Sequence, residues 1–197
     1  MRKIIHSAWI TLDGFVSGPE DGRMGWLRGD DQMMEYEQSL VDGADILLLG
    51  RKTFNDFVAY WPDVARSASP DGTPLPRADQ LQRAYARRLD AMKKCVVSAS
   101  GAVAEWRNSQ RLSGVDRGEI GDLKRSPGKD VVIYGSLTVV EALAKLGLMD
   151  EYHLLLHPAF IGTGRPMFQS SFPVDLDLLS VEAFASGVVV MKYRPAC

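Results

Sequence analysis

Four consecutive residues, Gly50-Arg51-Lys52-Thr53, carry the densest chemistry in the chain. They follow an apolar run, Ala44-Asp45-Ile46-Leu47-Leu48-Leu49, that reads as a buried strand, and a helical pattern begins at once behind them. Glycine permits a tight turn and close approach of the backbone to a ligand. The new helix offers unpaired N–H groups at the positive end of its dipole, and Arg51 and Lys52 add two full charges beside the Thr53 hydroxyl. Such a turn suits an anion, and adjacent Arg and Lys suit a dianionic phosphate better than a carboxylate. The same residues also read as two solvated cations and a helix-starting threonine.

A second turn has the same design. Val131-Val132-Ile133-Tyr134 runs into Gly135-Ser136-Leu137-Thr138, a strand followed by glycine, small hydroxyls and a helix. A third strand ends in Val97-Ser98-Ala99-Ser100-Gly101 and offers the hydroxyls of Ser98 and Ser100. Ligands of open α/β sheets bind at the carboxyl ends of strands, so all three segments should converge. Two such turns could hold the two ends of a pyrophosphate-bridged ligand. Other patterns fail. Gly162-Thr163-Gly164 is followed by Arg165-Pro166, where a dinucleotide fingerprint would open a helix, so it reads as a loop. No serine-hydrolase elbow occurs. His6, His153 and His157 fall on expected strands, where they read as satisfied sheet residues, and no metal site is expected.

The elements that must position these residues are legible in outline. Runs from Ile4 to Thr11, Asp45 to Leu49, Cys95 to Ser98, Asp130 to Tyr134 and Tyr152 to His157 predict strands. Helical stripes lie between them: Met33 to Val41, Leu81 to Met92, and Leu137 to Leu146, the last with Thr138 and Glu141 at capping-box spacing. Alternating strands and helices predict an α/β fold, a mostly parallel sheet flanked by helices. Leu178 to Phe184, Ser186-Gly187 and Val188 to Arg194 predict a C-terminal antiparallel hairpin. Trp61 to Pro76, with Pro62, Pro70, Pro74 and Pro76, predicts a surface loop.

Bulk properties fit a single domain over 1–197. The chain is 46% hydrophobic and 24% charged, with a net charge of −2 and its cations interspersed with acids. That leaves no positive stripe for nucleic acid or an anionic membrane. No window reaches the roughly 20 apolar residues of a membrane span, and the N-terminus lacks a signal-peptide pattern, so a cytoplasmic protein is expected. Cys95 should be a buried thiol and Cys197 an exposed free one, as in a reducing compartment.

Thr11-Leu12-Asp13-Gly14-Phe15-Val16-Ser17-Gly18, followed by Gly50-Arg51-Lys52-Thr53-Phe54, resembles the dihydrofolate reductase-like family. It is most similar to the C-terminal reductase domain of the bacterial bifunctional riboflavin deaminase-reductase. Lys94 to Ser98, Tyr134-Gly135-Ser136, and Gly147 to Tyr152 with Pro158, Gly162, Gly164 and Phe168 continue the likeness in family order. The resemblance implies NADPH as hydride donor, a small-molecule substrate and a homodimer. It places Gly50, Arg51, Lys52, Thr53, Gly135, Ser136, Leu137 and Thr138 on the phosphates and Ser98 and Ser100 along the adenosine. Relatives commonly carry an arginine where this chain has Ala99, so NADH is also open. Neither the H-x-E nor the P-C-x-x-C of the zinc deaminase half occurs in the sequence, so a lone reductase-like domain is expected.

Reduction of a heterocycle needs a positioned electrophile and a proton. Asp13 is the candidate acid, its pKa raised at the edge of an apolar pocket, although Asp-Gly is also a turn dipeptide. Asp30 and Asp31, at the start of the first helix, are alternatives. Trp9, Phe15, Trp26, Phe54, Phe57 and Trp61 could form a flat slot for a pterin-like or aminopyrimidine-like substrate. The competing reading is a non-catalytic nucleotide-binding domain on the same scaffold.

Overall fold

The structure, a computed structural model, describes residues 1–18, 24–67, 75–101, 103–168 and 173–196. In chain order the first half contains β1 (Ile4–Thr11), β2 (Phe15–Ser17), α1 (Asp31–Asp42), β3 (Ala44–Gly50), α2 (Arg51–Val58), α3 (Trp61–Arg66), α4 (Arg77–Ala91) and β4 (Lys93–Val97). The second half contains β5 (Ser109–Leu112), α5 (Arg117–Arg125), β6 (Asp130–Tyr134), α6 (Leu137–Lys145), β7 (Glu151–His157), β8 (Arg165–Pro166), β9 (Leu176–Ala183) and β10 (Val189–Pro195).

Eight strands form one sheet in the order β5-β4-β3-β6-β1-β7-β10-β9. The first six are parallel; β10 runs antiparallel to β7 and carries β9 at the edge. β3 and β6 are apolar at nearly every position because both sheet faces are covered. Ile46 and Leu48 of β3 pack with Ile120 of α5 and Val140 and Leu143 of α6. Leu47 and Leu49 point the other way, against Leu40 of α1, Phe54 of α2 and Tyr85 and Leu89 of α4. The expected mostly parallel sheet and C-terminal hairpin are both present.

Local signals explain several boundaries. Asp30 caps α1, its Oδ1 accepting from Met33 N at 2.8 Å, and Asp116 caps α5 in the same way. The buried Lys94 closes the far end of α4, its ammonium donating to the carbonyls of Asp90 at 2.7 Å and Arg107 at 3.1 Å. Cys95 is buried in the core.

Two expectations are corrected. Trp61 to Arg66 is helical rather than loop, because Pro62 falls in the first turn, where a missing N–H costs nothing; Pro70 and Pro74, like Cys197, lie outside the described residues. The capping box at Thr138 and Glu141 does not form, since α6 already begins at Leu137 and Ser136 is its cap residue. The span between Gly101 and Lys129 gave no sequence pattern yet supplies β5 and α5.

A second, two-stranded sheet joins β2 to β8 and straps the loop after β1 to the loop after β7. A side chain at Gly164, in the positive-φ region at +156°, would run into the Ser17 carbonyl. Among the described residues no helix is long and apolar enough to cross a membrane.

Candidate active site

Because β3 and β6 are neighbours in the sheet, their two glycine turns lie side by side. The Gly50 N–H donates to Ser136 Oγ at 2.9 Å, and the Ser136 N–H donates to Thr53 Oγ1 at 3.2 Å. Gly135 has φ +50°, and a Cβ there would sit 3.3 Å from Thr53 Oγ1. Ser136 itself is left-handed at φ 50°, ψ 38°, a conformation that costs a non-glycine residue about 1 kcal/mol. Among the described residues neither α2 nor α6 has a capping side chain. The residues expected to hold an anion therefore divide into two groups. Gly50, Gly135 and the Ser136 hydroxyl lock the turns to each other, and the first-turn amides of Arg51, Lys52 and Thr53 and of Leu137 and Thr138 have no capping partner.

The cations stand on the same rim. Arg51 and Lys52 are exposed, and Arg51 Nη1 donates to Ser100 Oγ at 2.7 Å, which draws the loop after β4 toward α2. Ser98, by contrast, is buried and its hydroxyl has no partner among the described residues, so it does not present that group at the rim. Arg111 of β5, missed in the sequence, donates from Nη1 to the Ser98 carbonyl at 2.7 Å. It places a guanidinium beside the position where Ala99 leaves none.

On the α1 side of the sheet the aromatic residues form two groups. Trp9 is partly exposed and donates from Nε1 to Glu37 Oε1 at 2.8 Å; Tyr134 OH donates to the other oxygen, Oε2, at 2.9 Å. Glu37 is buried, and burial pushes its carboxyl above the usual range against those two hydrogen bonds. Sequence reasoning missed it, although it lies one turn behind Met33 on the helix's apolar stripe. Trp9 and Trp26 both pack edge-on to His157, with ring centroids 6.3 and 5.1 Å away. The second group joins Phe57 to Tyr134 at 5.9 Å and Trp61 to Tyr85 at 5.0 Å. Phe15 is partly exposed on β2. Phe54 is corrected from slot to core: it is fully buried against Trp106, because its position on α2 faces the sheet.

The carboxylates expected to supply a proton do other work. Asp13 takes a 2.5 Å hydrogen bond from Thr11 Oγ1 on Oδ1, and amide hydrogen bonds from Ile161 at 3.0 Å and Gly162 at 2.7 Å on Oδ2. The Thr11 hydroxyl foremost, then the amides, hold it below the usual carboxylate range. The expected upward shift is thus reversed. Asp30 caps α1 and also accepts from Ser186 N at 2.7 Å, and Asp31 pairs with Arg77 at 3.2 Å.

Two of the three histidines differ from expectation too. His153 is satisfied, accepting from Tyr36 OH at 2.7 Å and reaching Glu151 at 2.9 Å. His6 and His157 each leave one ring nitrogen buried without a partner among the described residues. His6 Nε2 donates to the Gly135 carbonyl at 3.0 Å, and its ring lines, with Leu137, Val140, Tyr152 and Met167, a cavity of about 320 Å³ on the α6 face.

Residues 2–190 match the model of the RibD C-terminal domain, and the chain belongs to that family. It is 29% identical to YyaP of Bacillus subtilis (strain 168), an uncharacterized protein, over 98% of this chain and 95% of the relative. Among solved structures, a protein of Shewanella sp. PV-4 assigned to riboflavin biosynthesis is 16% identical with a TM-score of 0.71, covering 99% of each chain. A pyrimidine reductase-like protein of Corynebacterium diphtheriae is 17% identical with a TM-score of 0.65, covering 100% of this chain and 92% of its own. The Thermotoga maritima diaminohydroxyphosphoribosylaminopyrimidine deaminase/5-amino-6-(5-phosphoribosylamino)uracil reductase is 13% identical with a TM-score of 0.64; this chain spans 57% of it. The fold is therefore the dihydrofolate reductase-like one of the RibD C-terminal domains.

Proposed function

We propose that this chain is an NADPH-dependent reductase that transfers a hydride to a small heterocycle of pterin-like or ribosylaminopyrimidine-like form. The observation that carries the reading is the latch between Gly50 and Ser136, which sets two uncapped helix starts side by side on one rim. That arrangement, with Arg51 and Lys52 beside it, has the donor set of a diphosphate cradle.

When bound, NADPH supplies the hydride. The first turns of α2 and α6 would hold its diphosphate through backbone amides, with Arg51 and Lys52 as counter-charges. Arg51 and Arg111, on either side of the Ser98 to Ser100 loop, would grip the 2′-phosphate in place of the arginine missing at Ala99. Trp9 and Trp26 would wall the substrate slot at the carboxyl ends of β1 and β7 and exclude water. Glu37 fixes the Trp9 and Tyr134 rings that border the slot. Asp13 holds the mouth loops together as an ionised carboxylate, and we assign it no proton transfer.

The setting that suits this reading is the cytoplasm, where NADPH and the free Cys95 thiol are both maintained. A homodimer fits as well. The edge strand β9 exposes Leu178 and Val181, each 55% accessible, on a strand with an unpaired outer side.

The test is NADPH binding followed by fluorescence. Wild-type protein should bind, and R51A should weaken binding about tenfold, the loss of one charge-assisted contact. No measurable affinity for NADPH or NADH removes the proposal. Binding without oxidation across a panel of pterins and ribosylaminopyrimidines would instead favour the non-catalytic nucleotide-binding domain.

A further inference from the structure

A buried histidine lies under the second glycine turn. His6 stands in β1 beside Ile133 of β6, with none of its surface exposed. Its Nε2 is 3.0 Å from the Gly135 carbonyl. A carbonyl can only accept, so Nε2 carries the proton. Burial lowers the ring's pKa to about 4 and keeps it neutral, which leaves Nδ1 a bare acceptor. Nδ1 is buried with no partner among the described residues. A side chain kept only to fill the core would not carry that cost, since a leucine fills similar space with no polar atom to bury. The use of His6 lies at Nε2.

The carbonyl it holds belongs to an unusual peptide unit. Gly135 and Ser136 are consecutive left-handed residues, each at φ +50°. The C=O of Gly135 and the N–H of Ser136 share one planar trans peptide and point in opposite directions. His6 holds the first from β1, and Thr53 Oγ1 of α2 holds the second at 3.2 Å. The unit is pinned at both ends against a flip. Two features of the cradle depend on its orientation. The Ser136 hydroxyl accepts the Gly50 N–H, and the Ser136 carbonyl accepts from Val139 N at 2.8 Å and Val140 N at 3.1 Å, which builds the first turn of α6. A left-handed conformation disfavours any residue with a Cβ, so with one pin removed the turn has a reason to relax.

We propose that His6 is a positioning residue of the cradle: its Nε2–H fixes the Gly135–Ser136 peptide, and through it the α6 amides, in the orientation that receives a diphosphate. This rests on the reductase reading for the ligand, not for the peptide lock itself.

Glutamine and asparagine separate this role from packing. Glutamine carries its side-chain N–H three bonds from Cβ, as imidazole Nε2 does; asparagine carries it one bond shorter, out of reach of the carbonyl. H6Q should keep the lock, and H6N and H6L should break it. One readout is hydrogen exchange of the Gly50 amide in ligand-free protein, followed by ¹⁵N correlation spectra; the other is NADPH affinity by fluorescence. In H6N and H6L the Gly50 amide should exchange about tenfold faster and NADPH should bind about tenfold more weakly, while H6Q stays within about twofold of wild type in both. A merely structural His6 predicts that H6Q fares no better than H6N, and that result overturns the proposal, as would wild-type values in H6N and H6L. Where H6N or H6L does not fold, H6Q still decides, because a folded H6Q that loses both readouts overturns the lock and one that keeps them supports it. Gly50 exchange that separates H6Q from H6N in protein binding no NADPH would support the lock and sink the reductase reading; NADPH binding that is alike in every variant would do the reverse.

Discussion

The amide of Gly50 and the hydroxyl of Ser136, 86 positions apart in sequence, meet at 2.9 Å and join the starts of α2 and α6 into one unit. Neither residue is free to act alone, so changes at one turn should be felt at the other.

S136A leaves the Gly50 amide without its partner. It should cost about 1–3 kcal/mol by chemical denaturation, and NADPH affinity should fall with it. G135A forces a side chain into positive φ and against Thr53, and should lose a further comparable amount. Wild-type stability in both variants would show that the latch holds nothing.

Arg111 should act on cofactor choice. R111A is expected to raise the KM for NADPH several-fold while leaving the KM for NADH unchanged, which steady-state kinetics with both cofactors would show. Equal loss with both would place Arg111 elsewhere than on the 2′-phosphate.

D13N separates an acid from an architectural carboxylate. The variant keeps the side chain's shape but weakens its acceptance from Ile161 and Gly162. It should lower Tm and raise KM for the heterocycle while the pH profile of kcat keeps its shape. A lost acid limb in that profile would restore Asp13 as the proton donor.

Acid should unfold the protein through its histidines. Unfolded imidazoles titrate near 6.5, whereas burial lowers His6 and His157 to about 4. Below pH 6.5 the unfolded chain binds protons that the folded one refuses, so this stability is present above 6.5 and lost as pH falls toward 4. The expected slope is about 1.4 kcal/mol per pH unit for each proton. H6F, which removes one of the two groups, should flatten denaturation midpoints across that window; an unchanged slope would contradict the assignment.

Much of this was readable from the chain because both faces of the central strands are buried. Ala44 to Leu49 could scarcely be anything but an inner strand, and Gly50 and Gly135 marked its turn and that of β6. The edge was not readable: β5 is Ser-Gln-Arg-Leu, with only Leu112 buried, and its pairing with β4 leaves no apolar signature. Arg111 stayed hidden with it. His157 was taken for an ordinary sheet residue because spacing reports which way a side chain points and nothing about whether both ring nitrogens are satisfied. Asp13 and Gly14 fitted an acid or a turn equally well, and only the amides of Ile161 and Gly162, 148 and 149 positions downstream, decide between them.

Those amides also make the two mouth loops a single clasp. With Asp13 riveting one side to the other and Gly164 seated against Ser17, neither stretch can lengthen, shorten or swing without its counterpart. New substrate preferences in this lineage should therefore arrive as matched exchanges on both strips, and a graft of either one from a relative should fail until its mate is transplanted with it.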